Sequence, residues 1–346
     1  MKKALAIILV VVMVFAMAAC GQSAAPAASS SSGTSSAPST SSDTPSTSSG
    51  SGKTQFYSFV SSNAGALWYN MAGGAITLFN EQIPNVNFSL EASGGSTENA
   101  KRVSSGESDI GFTYANHLYE IYNGTGTFEG TAIQDAQILC QAYDSPHFFI
   151  TLKSTGIKTI DDLIGKKVSL GPPGSGSLAN SVEVLTALGM LDKVVGSEMS
   201  FADATRALQD GQIDAVGQSG YNSANVVELA ATNDIYIIPY TDDQLTIIEQ
   251  ASPYFHRGIM PAGSYEGQDV DVPTFFFNVF LIAHKSVPAD ITYQILKVIF
   301  QEDNHKYLIQ VHPSWADICD NPESVAQIGA QYHEGAIKYW SEQANG

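Results

Sequence analysis

The sequence predicts an α/β fold of two lobes, each a mostly parallel sheet flanked by helices, with a two-strand hinge between them. Three observations support this prediction. A strand, a loop of small residues and a helix follow one another repeatedly, which is typical of parallel sheets covered by helices. The globular part begins near residue 53 and is roughly 290 residues long, enough for two lobes. A long apolar run at 272–284 arrives late in the chain, where it can cross between the lobes.

The chain begins with a segment that predicts export. Two lysines precede an uncharged apolar run, which ends at Ala19 and Cys20. The run is shorter than the roughly 20 residues of a membrane-spanning helix, and small residues stand where a signal peptidase cuts. We therefore expect residues 1–19 to be a signal peptide. The segment resembles the lipobox of bacterial lipoproteins, which implies a lipid on Cys20. A cleaved signal with an incidental cysteine is the alternative.

A segment of low complexity follows. Residues 21–52 are almost wholly Ser, Thr, Ala, Pro and Gly. Such a stretch cannot bury enough apolar surface to offset the entropy that it would lose on ordering. With the lipidated cysteine, residues 20–52 are therefore expected to form a disordered tether. It would hold the folded part outside the cell membrane.

The charge and the metal-binding residue types exclude several functions. The formal net charge of −18 excludes nucleic acid as a partner, because phosphate binding needs clustered Lys and Arg. The seven histidines show no metal-ligand spacing, so neither a metal site nor a cofactor is expected. Beyond Cys20 only Cys140 and Cys319 remain, and two buried free thiols are favoured over a disulfide between them.

The elements of the globular part follow from its apolar patterns. The run at 272–284 and the earlier apolar run at 147–152 are expected to pair as the two-strand hinge. Lobe 1 would then comprise residues 53–152 and 272–346, and lobe 2 would comprise residues 153–271. The other expected elements are strands at 55–60, 86–92, 109–113 and 167–170, and helices at 67–82, 97–105, 178–189 and from 291.

Two loops at strand-to-helix junctions are candidates for holding a ligand. They are the first loop, Ser93 to Ser96, and the second loop, Gly174 to Ser177. Their small residues leave backbone N–H groups bare at a helix start, a geometry that binds anions and carboxylates. Both loops are equally explained as simple helix caps, since Ser and Gly are common there. The second loop lacks the lysine of a phosphate-binding P-loop, which argues against a nucleotide.

A series of ordered motifs extends across residues 55–342. The motifs are ALWY (66–69), SGGSTEN (93–99), SSGESDIGF (104–112), YEIYNGTGTF (119–128), GKKVSLGPPGSGS (165–177), LQDGQIDAV (208–216), PAGSYEGQDVDV (261–272) and EGAIKYW (334–340). Together they resemble a known family, the TAXI branch of solute-binding proteins that serve TRAP transporters.

The resemblance implies a type II periplasmic-binding-protein fold. It also implies capture of a small organic acid or amino acid, such as glutamate, glutamine or a dicarboxylate, and delivery to the membrane subunits of a TRAP transporter. The protein is expected to be a monomer. The candidate ligand-binding residues, from the loops, the resemblance and nearby aromatic residues, are Asn63, Ala64, Gly65, Ala66, Ser93, Gly94, Gly95, Ser96, Asn99, Tyr114, Tyr143, Gly174, Ser175, Gly176, Ser177 and Tyr221.

An enzyme and a ligand sensor are the alternatives to a transport protein. The sequence contains no GxSxG elbow, no HExxH motif and no cysteine with an obvious base, so no catalytic residue is expected. A serine nucleophile at Ser96 or Ser175 would need a histidine nearby, which the sequence cannot show. A sensor that docks onto a receptor would share the same fold.

Overall fold

The computed structural model describes residues 53–344. The predicted signal peptide, Cys20 and the tether lie outside these residues. The strands are β1 Gln55–Val60, β2 Val86–Glu91, β3 Ile110–Tyr114, β4 Ala136–Leu152, β5 Lys167–Gly171, β6 Val195–Glu198, β7 Ala215–Ser219, β8 Ile235–Ile238, β9 His256–Met260 and β10 Val272–His284. The α-helices are α1 Leu67–Gln82, α2 Ser96–Ser104, α3 Ala115–Asn123, α4 Gly176–Ala187, α5 Phe201–Gln209, α6 Ala224–Thr232, α7 Asp242–Ala251, α8 Ala289–Phe300, α9 Glu302–Val311, α10 Pro322–Gln327 and α11 Glu334–Ala344.

The strands form one mixed sheet in the order β2-β1-β3-β10-β4-β7-β5-β6. The two outer groups are parallel, since β1 pairs in parallel with β2 and β3, and β5 does so with β6 and β7. The long strands β4 and β10 lie antiparallel between the groups. Strand β8 pairs with β4, and β9 pairs with β10. Helices follow most strands, which is the alternation that the sequence predicts.

Strands β4 and β10 cross between the two parts of the sheet. The first five residues of β10 pair with β9, and residues 279–283 pair with β3. Likewise the second half of β4 pairs with β7 and β8, while its first half pairs with the end of β10. The predicted fold class, two α/β lobes with two strands between them, is confirmed. The boundaries at 152 and 272 stay a prediction, because each crossing strand pairs on both sides of the hinge.

Strand β4 begins at Ala136, eleven residues before the predicted start at 147. The polar run Asp144-Ser145-Pro146 breaks the apolar pattern and hides the continuity of the strand. The structure accommodates this run because Asn278 Nδ2 donates to Asp144 Oδ1 (2.5 Å) from the neighbouring strand β10. The full-length crossing strand places Tyr143 beside the junction of the lobes.

The core has two clusters that flank the sheet. The larger contains the fully buried Phe59, Phe112, Phe277 and Trp315 and continues through both crossing strands. The smaller surrounds the fully buried Phe148 under α5 and α6. Each lobe therefore buries apolar side chains on both faces of its strands, which holds the strand ends and the loops after them in place.

Both cysteines in the described residues are free. Cys319 pairs across an antiparallel bridge with Gln141, so the residue directly opposite it is not Cys140. Cys140 is buried as expected, whereas Cys319 is partly exposed, which corrects the expectation of two buried thiols. The disulfide alternative is not formed.

Candidate functional site

The first and second loops face one another across the junction of the lobes. A Cβ added at Gly94 would lie 3.1 Å from the carbonyl oxygen of Pro173. A Cβ added at Gly176 would overlap the Tyr114 ring and would lie 3.1 Å from Ser96 Cβ. At Gly176 only glycine fits so close an approach. The two lobes are therefore in contact at these loops, in a closed arrangement.

A cavity of about 430 Å³ lies beside this contact, at the carboxyl ends of several strands. Its wall consists of small polar residues, a few amides and one group of aromatic rings. The lining residues are Ser62, Asn63, Ala64, Ala66, Leu67, Trp68, Gly94, Gly95, Ser96, Tyr114, Tyr143, Ser175, Gly176, Ser177, Ser200, Phe201, Ala202, Gln218, Ser219, Gly220, Ser223, Ala224 and Asn225. We call this space the interlobe cavity. Its volume is in the range of small-molecule sites.

Five helices begin at the wall of the interlobe cavity. They are α1 and α2 on one side and α4, α5 and α6 on the other, and the first residue of each lines the cavity. The first N–H groups of a helix have no acceptor within that helix. Each helix N-terminus also carries about half an elementary positive charge from aligned peptide dipoles. The five helix starts therefore contribute positive potential to the cavity, although its wall contains no lysine or arginine and α2 and α5 each carry a carboxylate, Glu98 and Asp203, in their first turn.

The capping pattern leaves backbone donors available at these five helix starts. Ser175 Oγ and Ser200 Oγ accept from the third N–H of α4 and α5, so the first two N–H groups of each remain without an intrahelical acceptor. No N-cap side chain bonds the first turn of α1, α2 or α6, but Ser62 Oγ accepts from the third N–H of α1, at Tyr69 (3.1 Å). Such convergent N–H groups form a preorganised receptor for an anionic oxygen.

Two predicted ligand-binding residues, Ser93 and Asn99, shape the first loop instead of lining the cavity. Asn99 Nδ2 donates to the carbonyl oxygens of Ser61 (2.6 Å) and Phe112 (2.8 Å), and its Oδ1 accepts from Ser93 Oγ (2.6 Å). Ser93 Oγ also accepts from the N–H of Gly95 (3.1 Å). These bonds tie the loop to the ends of β1 and β3. The polar groups of both side chains therefore bond to the protein itself.

Three further predicted residues also lie outside the interlobe cavity. Gly65 is in the turn before α1 with a positive φ of 81°, and Gly174 has a φ of 71°. Both are turn residues in the left-handed conformation, which glycine adopts without steric strain. The ring of Tyr221 packs 6.0 Å from that of Phe276, on the side of β10. The remaining predicted residues are part of the cavity wall.

The cavity also contains residues that the sequence analysis did not select. They are Ser62, Leu67 and Trp68 on the side of α1, and the starts of α5 (200–202) and α6 (223–225) and the end of β7 (218–220) on the other side. The α5 start carries no glycine, so only its N-cap serine could have signalled it. The end of β7 reads Ser219-Gly220, a signal of the same kind as the two predicted loops. Gln218 Nε2 donates to Ser223 Oγ (3.1 Å), which holds β7 and α6 together at the cavity.

Aromatic side chains form the apolar part of the wall. Trp68 Nε1 donates to the hydroxyl of Tyr143 (2.6 Å), and the Trp68 and Tyr114 rings meet edge to face at 5.0 Å. Burial raises the pKa of both tyrosines far above neutrality, so both phenols are uncharged. The wall therefore offers an apolar surface opposite the amide-rich helix starts.

Two serines in the wall lie against a histidine, Ser96 against His117 and Ser219 against His147, whose Nδ1 is 3.0 Å from Ser219 Oγ. Ser96 Oγ is 2.6 Å from His117 Nδ1 and accepts from the N–H of Tyr114 (2.8 Å). Burial lowers the pKa of His117 to about 3, so this imidazole is a weak base at neutral pH. Nε2 of His117 is buried without a partner, so no carboxylate orients the ring. The hydrogen bond between Ser96 and His117 therefore fits a role in fixing the start of α2 better than a role in activating Ser96 as a nucleophile.

The described residues contain no cluster of three or more His, Cys, Asp or Glu that could hold a metal ion. Among the same residues, no helix has the length and apolarity that a membrane span requires.

The fold and the interlobe cavity define a two-lobed, cleft-forming α/β protein. The chain belongs to the NMT1-like family, whose model matches residues 60–344.

The chain is similar in structure to several solved proteins, among them three binding proteins. The aliphatic sulphonate binding protein SsuA from Escherichia coli is 13% identical, with a TM-score of 0.46, over 84% of this chain and 88% of that one. The alkanesulfonate-binding protein SsuA from Xanthomonas axonopodis pv. citri, bound to MOPS, is 12% identical, with a TM-score of 0.48, over 80% and 91%. The probable amino-acid ABC transporter extracellular-binding protein ytmK from Bacillus subtilis is 12% identical, with a TM-score of 0.44, over 76% and 98%. The ligands named for these proteins are properties of those proteins alone.

Proposed function

We propose that the protein is an extracytoplasmic, lipid-anchored solute-binding protein of a TRAP transporter. It captures a small organic acid or amino acid in the interlobe cavity and releases it unchanged to the membrane subunits. The observation that carries this proposal is the convergence of five helix N-termini on a cavity of about 430 Å³ between two lobes in contact. Neutral N–H donors of this kind hold an anionic group through charge-assisted hydrogen bonds worth roughly 1.5 to 3 kcal/mol each.

The geometry supports holding a solute over transforming it. Two histidines contact serines of the wall, His117 at Ser96 and His147 at Ser219. Burial lowers the pKa of each to about 3, which makes both poor proton acceptors. Opening of the lobes about the crossing strands would admit and release the solute, as in hinge closure around a ligand. The TRAP partner rests on the sequence motifs, and the lipid anchor rests on the segment that ends at Cys20.

The first expected result is stabilisation by the solute. Protein from residue 21 onward, unfolded and refolded to remove bound solute, should show a higher melting temperature with small carboxylates or amino acids. At a concentration of 100 times Kd, binding adds about 2.7 kcal/mol, or a shift of roughly 5 °C or more. Differential scanning fluorimetry measures this shift. A cationic diamine of similar size is the control and should leave the melting temperature unchanged.

Mass spectrometry of solute released from the freshly purified protein identifies the natural occupant. The ligand class would be wrong if no carboxylate or amino acid raised the melting temperature and no such compound co-purified. A shift with the diamine alone would contradict the positive potential of the helix starts at the cavity.

The second expected result concerns the transport partner. Cells that express this protein together with TRAP membrane subunits should accumulate the labelled solute, and cells that lack either component should not. The physical reason is that the solute is delivered only from the bound state. Uptake that is unaffected by deletion of this protein would exclude the transport role and would favour a sensor, which needs binding but no flux.

A further inference from the structure

We infer that the solute is an organic anion without an ammonium group, that is, a carboxylic or oxo acid and not an α-amino acid. This inference rests on the proposed function, because it specifies the occupant of the same interlobe cavity. Its basis is the balance of charges around the cavity.

The charge balance of the wall is one-sided. None of the lining residues is Asp, Glu, Lys, Arg or His, and all of them lie in the described part of the chain. Five helix N-termini contribute about half a positive charge each, so together they match one or two anionic groups. An anion is therefore stabilised at the wall, while an ammonium group meets the same positive field without a carboxylate to offset it.

The carboxylates nearest to the first loop are already engaged. Glu98 Oε2 accepts from the N–H of Gly94 (2.8 Å), and its Oε1 pairs with Arg102 (3.5 Å). Asp203, in the first turn of α5, accepts from Ser200 Oγ (2.6 Å) and lies 3.7 Å from Arg206. Glu120 and Glu183 line a different cavity, of about 660 Å³. A zwitterionic solute in the interlobe cavity would thus leave its ammonium group without a countercharge.

The uncharged remainder of the solute has a matching surface. Leu67, Trp68, Tyr114, Tyr143 and Phe201 line the interlobe cavity as an apolar group. Trp68 Nε1 donates to the Tyr143 hydroxyl, so the indole N–H already has a hydrogen-bond partner within the protein. A carbon chain or planar oxo acid can pack there without leaving a polar group of the wall unpaired.

Matched pairs of acids test this inference. The pairs are 2-oxoglutarate and L-glutamate, pyruvate and L-alanine, and 4-methyl-2-oxopentanoate and L-leucine. Each pair differs only in an oxo group or an ammonium group on one carbon. By isothermal titration calorimetry at pH 7.5, the tightest oxo acid should bind about 100-fold more tightly than its amino acid.

The outcomes separate this inference from the proposed function. An amino acid that binds as tightly as its oxo acid, or a released natural solute that carries an ammonium group, overturns the inference and leaves solute binding intact. If no acid of either class binds and none co-purifies, both the inference and the proposed ligand class are overturned. Tight binding of an oxo acid alone supports both.

A variant of nearly unchanged shape gives a second test. Asn63 is exposed at the cavity rim, and Asn63→Asp adds one negative charge. This charge should weaken binding of the oxo acid about tenfold. It should also narrow or reverse the preference of the protein for the oxo acid over the amino acid. Gln343→Glu adds the same charge on exposed α11, away from the cavity, and is the control. Equal effects of both variants, or no effect of Asn63→Asp on the preference, would contradict the inference.

Discussion

Replacing Gly176 with valine should weaken solute binding by about 100-fold or more while the lobes stay folded. Gly176 is the first residue of α4, and any Cβ there overlaps the Tyr114 ring of the opposite lobe and approaches Ser96 Cβ. The φ angle of Gly176 is not positive, so the local backbone conformation itself is compatible with a β-branched residue. The clash therefore exists only when the lobes are closed. Calorimetry with the best-binding acid measures the loss.

The same variant has a readout that needs no solute. Small-angle scattering should give a larger radius of gyration for Gly176→Val than for the unaltered protein, and addition of the acid should not reduce it. Gly174→Asn is the control in the same loop. Its side chain points into open space, and asparagine tolerates the φ of 71°. A compact Gly176→Val protein with unchanged affinity would show that the contact between the loops is not part of the bound state.

Much of the fold was predictable because single elements carry their own signals. Strand β10 was predicted with its observed bounds, since the run 272–284 is rich in aromatic and β-branched residues and is buried on both faces. Strand β4 was predicted only over its last six residues, 147–152. Its first half depends on Asn278, which bonds Asp144 from more than a hundred residues away, and no local pattern contains that bond.

The candidate site shows the same division between local and distant information. The first and second loops could be selected because glycine and serine stand between a strand and a helix, which is visible in a short window. Whether a polar side chain in such a loop faces a solute or the scaffold is not visible. Asn99 illustrates this, because its partners Ser61 and Phe112 come from two other strands. The α5 start was missed because Ser200-Phe201-Ala202 has no glycine and resembles any capped helix.

The cavity between α3 and α4 contains two carboxylates without a cation. Glu120 is buried, and Glu183 from the opposite lobe faces the same space. Glu183 Oε1 accepts from the hydroxyl of Tyr254 (2.5 Å), and Glu120 Oε2 accepts from the N–H of Thr127 (3.3 Å). Neither carboxylate forms an ion pair within residues 53–344. The closed arrangement thus places two like charges near one another unless one is protonated.

Replacing Glu120 with glutamine should therefore stabilise the protein at alkaline pH. Burial, and secondly the charge of Glu183, raise the pKa of Glu120 from 4.5 to about 7 in the folded protein. Because the folded state binds this proton more tightly, its contribution to stability is complete below pH 4.5 and is lost as the pH rises through 7. Glu120→Gln removes this loss, which amounts to about 3 kcal/mol. Urea unfolding from pH 4.5 to pH 8 measures the free energy of unfolding of both proteins. The variant should equal the unaltered protein at pH 4.5 and should exceed it by the full amount at pH 8.

The control for this result is Glu198→Gln, which removes an exposed carboxylate from the rim of the same cavity. It should change the unfolding free energy little at either pH, because an exposed carboxylate keeps its hydration. If both variants gained equally at pH 8, the gain would reflect the reduced net charge of an acidic chain. If Glu120→Gln gained nothing at pH 8, the two carboxylates would not oppose closure. A gain confined to Glu120→Gln would mean that the folded protein takes up a proton at Glu120. Because Glu183 comes from the opposite lobe, closure should strengthen this uptake, so solute affinity should fall from pH 6 to pH 8 in the unaltered protein and less in the variant.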